Sequence, residues 1–153
     1  MRYWLMKTEP GTFGLEHLAA APRSTTAWDG VRNFQARNML RDEVRRGDEA
    51  FLYHSGAVPG IVAVMQIVKQ GYPDPTAFDR KHHHYDPDSD PANPRWFMVD
   101  VQLKRRLART IALEELRAHA GKELKGMVLL RPGNRLSITP VEAAHWKFIL
   151  SLE

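Results

Sequence analysis

Residues 61–70 read IVAVMQIVKQ, and the fold turns on how they are placed. Apolar side chains stand at both parities: Ile61, Ala63, Met65 and Ile67 on one, Val62, Val64 and Val68 on the other. Successive side chains of a strand point to opposite faces. A strand of this composition is therefore covered on both, as in a small closed barrel. Before it, Glu49 to Ser55 predict a partner strand, joined through a loop that holds Gly56, Pro59 and Gly60. After it, Trp96 to Leu107 predict the clearest strand. There Phe97, Val99, Val101 and Leu103 alternate with Met98, Asp100, Gln102 and Lys104.

Outward from this centre, Arg2 to Thr8 read as an opening strand that Pro10 and Gly11 end. Thr12 is positioned to cap a short helix over Leu15 to Ala20, which Pro22 breaks, and Thr25 to Trp28 form a short extended piece. Arg32 to Arg46 make the best amphipathic helix, with Ala36, Met39, Leu40 and Val44 as its apolar stripe and Gly47 as its stop. A helix near Leu113 to Ala120, an apolar piece at Met127 to Leu130 and a last strand at Arg135 to Ile138 follow. Thr139-Pro140-Val141-Glu142 combine an N-cap, Pro at the first helical position and a capping-box Glu, and predict a terminal helix through Leu150. Tyr72 to Pro94, rich in Pro, Asp and His, form a long surface excursion. Strands and helices mix without βαβ regularity, so the class is α+β. At 153 residues the chain is expected to be one domain, 1–153.

Composition narrows the chemistry. With no cysteine there is no disulfide framework, thiol nucleophile or Cys-ligated metal. The first residues carry charge at once and no window approaches the roughly 20 apolar residues of a membrane helix, which predicts a soluble, cytoplasmic chain without membrane contact. The formal charge of +4 and a pI near 9.6 favour a phosphate-rich partner.

Several groups of residues are candidates for function. In WDGVRNFQARN (Trp28 to Asn38), unpaired N–H groups at a helix start attract phosphate or a polar base edge. Arg32, Asn33, Gln35 and Arg37 add donors, and Trp28 offers a flat stacking surface. The plainer alternative makes Trp28 core and Arg37, Arg41 and Arg45 a solvated face. Tyr53-His54-Ser55 end a strand, where polar groups can converge on a pocket mouth; adjacent strand residues diverge, so a Ser–His nucleophile is not expected. Lys7-Thr8-Glu9-Pro10 place a cation and a carboxylate at a strand end, and a carboxylate can accept from an exocyclic amine such as that of cytosine. His82-His83-His84 invite a metal, with Asp86 or Asp88 as further ligands. In an extended segment, however, consecutive histidines cannot all face one ion, so no metal or other cofactor is expected. Lys104, Arg105, Arg106 and Arg109 form a basic cluster able to track a nucleic-acid backbone, or simply to be solvated.

Taken together, YWLMKTEP (Tyr3 to Pro10), WDGVRNFQARN, FLYHS (Phe51 to Ser55), PGIVAV (Pro59 to Val64), YDP (Tyr85 to Pro87), RWFMVDV (Arg95 to Val101) and MVLLR…LSITPV (Met127 to Val141) resemble the EVE-domain family, in family order and along essentially the whole chain. The resemblance implies a PUA-like fold, a small curved or closed mixed β-barrel flanked by helices and related to YTH and ASCH domains. It implies a non-enzymatic module that binds a modified base, foremost a modified cytosine, in DNA or RNA, as a monomer or weak dimer. The pocket residues carried over by motif are Lys7, Glu9, Trp28, Arg32, Asn33, Tyr53, His54, Ser55, Tyr85, Asp86 and Trp96, with Arg37 and Arg41 on phosphates. The histidine run departs from the mixed polar and aromatic residues expected before YDP. Two other readings compete. One is an enzyme on a small nucleotide-like substrate with His54 or Glu9 as acid–base; the other is a protein-binding module using the excursion.

Overall fold

The run at 61–70 lies inside β4 (Gly60–Pro73). Its ladder partners are β3 (Glu49–His54) and β5 (Phe97–Ala112), both antiparallel. The computed structural model describes residues 1–153, and β1 (Tyr3–Thr8), β2 (Thr25–Ala27) and β6 (Ile138–Val141) complete one six-stranded sheet in the order β2-β5-β4-β3-β1-β6. β1 runs parallel to β3 and antiparallel to β6. The sheet is open, with β2 and β6 as its edges, so the expected barrel closure is not seen.

Both parities of β4 are apolar for a different reason. Each face of the sheet carries its own core. The first gathers Trp4 and Met6 of β1, Leu52 of β3 and Ala63, Met65 and Ile67 of β4. Over it lie α1 (Leu15–Ala20) through Leu18 and α2 (Phe34–Asp42) through Ala36, Met39 and Leu40. The second core gathers Leu5, Phe51, Ile61, Val64, Leu107 and Ile111 beneath α3 (Leu113–Ala118) and α4 (Ala143–Ser151). A bulge between Ile61 and Ala63 sends Ile61 to the second core while Val62 and Ala63 both reach the first, so strict alternation fails there. Four register shifts in the β4–β5 ladder bend the long hairpin.

Three local readings are corrected by the structure. Thr139 and Pro140 lie in β6, paired with Leu5 and Trp4, and the terminal helix starts only at Ala143 with Glu142 as its N-cap. Burial of Ile138, Thr139 and Val141 beside β1 outweighs the capping signal, and Pro140 is tolerated because β6 is an edge. Helix α1 is preceded by Gly14 rather than Thr12, and α2 is shorter than the periodicity predicts, with Asn33 as its N-cap and Asp42 its last residue. Beyond it the chain is tied by Asp48, a buried carboxylate that accepts from Trp4 Nε1, Arg2 N and Arg45 N at 2.9–3.0 Å.

Candidate functional site

A cavity of about 360 Å³ opens between the end of β1 and the segment that leads from β2 to α2. Its walls are Lys7, Thr8, Phe13, Thr26, Ala27, Trp28, Asp29, Gly30, Val31, Arg32 and Ser137. Trp28 is buried in the first core and still presents a surface here, with the Phe13 ring edge-on to it at 6.5 Å. The two readings of Trp28 are therefore compatible. Around this apolar floor stand hydroxyls, a carboxylate and a guanidinium, a lining suited to a planar polar heterocycle.

The wall formed by Gly30 and Arg32 is held from behind by the excursion between β4 and β5. Asp74 follows β4, has a fully buried side chain and accepts from Gly30 N (2.8 Å), Thr76 N (2.9 Å), Thr76 Oγ1 (2.6 Å) and Arg32 Nη1 (3.1 Å). Burial pushes its carboxyl up, and the hydrogen bonds from Thr76, Gly30 and Arg32 more than offset this, leaving it below its ordinary value. Arg32 also donates to the His84 carbonyl at 2.7 and 3.2 Å and lies 5.4 Å from the Trp96 ring centroid. Gly30 has φ +78°, and a Cβ there would collide with the His84 imidazole, so both its backbone angle and its missing side chain are required.

Of the residues carried over by motif, Lys7, Trp28 and Arg32 line the cavity. Lys7 shares parity with Leu5, however, and its ammonium lies 6.0 Å from the Tyr53 ring centroid, on the side of the second core. Burial pushes its pKa down. Tyr53 is buried in that second core and Asn33 accepts from Ala36 N at 3.0 Å as the α2 cap; neither lines the cavity. Glu9 and Ser55 meet each other at 3.4 Å, and Ser55 also donates to the Thr8 carbonyl, outside the lining. Asp86 accepts from Trp96 Nε1 at 2.6 Å; Trp96 is buried and Tyr85 half-buried, and none of the three lines the cavity. Arg37 and Arg41 border a separate groove with Phe34 and Arg95. Asp29, Thr26, Ser137 and the supporting Asp74 escaped the sequence reading. The Asp74-Pro75-Thr76 order was a usable cap signal for the last of these.

His54 Nε2 accepts from the Leu15 amide at 3.0 Å, capping α1, and burial holds its pKa below the ordinary value despite the nearby Glu9. We expect His54→Ala to cost about 1 kcal/mol by orphaning that amide and to leave ligand affinity unchanged, as urea denaturation and a binding titration will show. Because the folded value is depressed, the stability tied to neutral His54 is present above the unfolded value of about 6.5 and falls as pH drops through the folded one.

The three histidine rings do gather. A turn, not an extended segment, brings their nitrogens within 4.8 Å, although His82 Nδ1 already accepts from the His84 amide. The basic cluster is neutralised: Lys104 pairs with Glu49, Arg105 with Glu153, Arg106 with Glu16 and Arg109 with Glu115. Arg37, by contrast, bonds only neutral oxygens, Asn38 Oδ1 and the Arg95 carbonyl.

Comparison with known proteins agrees with this architecture. A family model for the EVE domain matches residues 2–152. Thymocyte nuclear protein 1 of Homo sapiens is 47% identical over 99% of this chain and 73% of its own length. The crystal structure of human THYN1 protein in complex with 5-methylcytosine-containing DNA superposes with a TM-score of 0.94 at 47% identity, covering 99% of this chain and 97% of that one. A crystal structure of a protein from Pseudomonas putida gives 0.91 at 40% identity and 98% coverage of both chains. The relatives' name refers to the nucleus and lends no support to the cytoplasmic expectation; no helix here is long and apolar enough to cross a membrane. Fold, ordered motifs and similarity along 99% of this chain agree: the chain belongs to the EVE-domain family.

Proposed function

We propose that this chain is a non-enzymatic reader of modified cytosine in DNA, with 5-methylcytosine as its first ligand. The observation that carries the reading is the near-complete superposition on a relative whose structure contains 5-methylcytosine DNA, combined with a cavity floored by Trp28. In this reading the bent sheet serves as a PUA-like frame. Trp28 stacks on the base and Asp29 accepts from the exocyclic amine, the task first considered for Glu9. Arg32, whose N–H groups are spent on Asp74, Thr76 and the Val31 and His84 carbonyls, supplies positive charge to the wall. Phe13, Ala27 and Val31 supply the apolar surface that a C5 methyl group needs. In this reading the chain binds as a monomer or weak dimer. His54 and Glu9 lie outside the lining, which favours binding over acid–base turnover.

Fluorescence anisotropy with duplexes carrying 5-methylcytosine or plain cytosine, and with matching RNA, tests this. The methylated DNA binds tightest, and Trp28→Ala weakens it by about 1–3 kcal/mol, with circular dichroism checking the fold because Trp28 is also core. Equal affinity for methylated and plain DNA would remove the reader, and tighter binding to RNA would reassign the substrate.

A further inference from the structure

Phe34 is an anomaly of the surface. The residue is 52% exposed, whereas nearly every other large apolar side chain is sheltered. It is not loosely placed. The ring stacks on Trp96 with centroids 4.9 Å apart and planes 25° from parallel, and Trp96 is itself buried and tied to the Asp86 carboxylate. Asn33 caps α2 immediately before Phe34 and fixes the turn that carries it. An exposed aromatic held this firmly is a preformed contact, since its ordering entropy is already spent in the fold.

Its surroundings state the partner's charge. The Arg37 guanidinium lies 5.0 Å and that of Arg95 6.0 Å from the Phe34 ring centroid. Arg37 has no carboxylate partner, and burial followed by repulsion from Arg41 pushes its pKa down, so an incoming anion would relieve it. Asp88 and Asp90 share the groove and Arg95 pairs with Asp86 at 3.6 Å, but Arg37 and Arg95 are the charges set against the ring, and of the two it is Arg37 that has no carboxylate partner. The position relative to the cavity is equally defined. Arg32 lines the cavity and lies 5.4 Å from the Trp96 ring, which also stacks on Phe34. Arg32, Trp96 and Phe34 thus run in contact from the cavity wall to the surface.

We propose that Phe34 is a wedge that occupies the space a base leaves in a duplex when that base enters the Trp28 cavity, with Arg37 and Arg95 on the flanking phosphates. Unstacking a base costs a few kcal/mol, and an apolar side chain inserted beside the vacated step restores part of the lost contact. The inference rests on the reader function proposed above. A single strand has no stack to refill, so the wedge matters only for duplex DNA.

The test compares the native chain with Phe34→Ser and Phe34→Leu on 5-methylcytosine DNA, duplex and single-stranded. Exposure of Phe34 keeps these variants folded. Phe34→Ser weakens duplex binding about tenfold or more and leaves single-strand binding unchanged, while Phe34→Leu recovers much of the duplex affinity. Equal losses on both substrates overturn the wedge, because they mean that Phe34 only supports Trp96 and Arg32. No loss on either also overturns it. A native chain that fails to prefer methylated over plain DNA marks failure of the reader itself, whatever the variants do.

Discussion

Asp74→Ala lowers the free energy of unfolding by about 3–5 kcal/mol and abolishes binding of methylated DNA in the fraction that remains folded. The carboxylate is fully buried and satisfies three donors besides the Arg32 guanidinium. Its removal orphans the Gly30 and Thr76 amides and leaves Arg32 without its ion-pair partner. Gly30 and Arg32 are cavity walls, so stability and affinity fall together. Asp74→Asn keeps the shape and loses the charge, and is milder. The same group sets a pH dependence. Its folded pKa is depressed, so its stabilisation is complete above the unfolded value of about 3.9 and is lost as pH falls through the folded value. Urea midpoints measured on the native chain and Asp74→Asn should draw together as the pH falls below the unfolded value of about 3.9; parallel curves down to pH 2 would refute the assignment.

Trp146→Ala is expected to cost a similar amount, about 3–5 kcal/mol, by a different route and with a different consequence. Its indole is stacked between Phe51 (3.9 Å between centroids) and Tyr3 (4.5 Å) in the second core, across the sheet from Trp28. Truncation leaves a void that the β1–β3 pair cannot collapse into without breaking its ladder. No apolar cavity-lining residue belongs to that core, although Lys7 reaches Tyr53 within it. Affinity per folded molecule should therefore match the native chain when measured well below the melting temperature. A parallel loss of affinity would show that the two faces of the sheet are coupled.

Much of the fold was legible because local pattern and tertiary environment agree. The two-sided run in β4, the alternation in β5 and the amphipathic α2 each became the predicted element. Failures came where distant partners decide. The Thr139-Pro140 signal is locally a helix start, and only the presence of β1 alongside makes it a strand. Two-sided burial in β4 is the same sequence pattern whether a barrel closes or two helical layers cover an open sheet. The candidate site was legible in part. Trp28 and Arg32 stand where a helix start suggested, whereas Asp74 is bonded to Arg32 across the chain, a pairing no short window contains. Asn33 and His54 were polar residues of a suitable kind that the fold spends on capping α2 and α1.

The position of β1 has a consequence for the order of assembly. This strand lies between β3, which it joins in parallel, and β6, where Tyr3 meets Val141. This strand thus waits for a segment far later in the chain before both its edges are covered. Such distant pairings slow folding and leave a bare strand open to association with other chains in the interval. The nascent chain must keep that edge apart until β6 arrives.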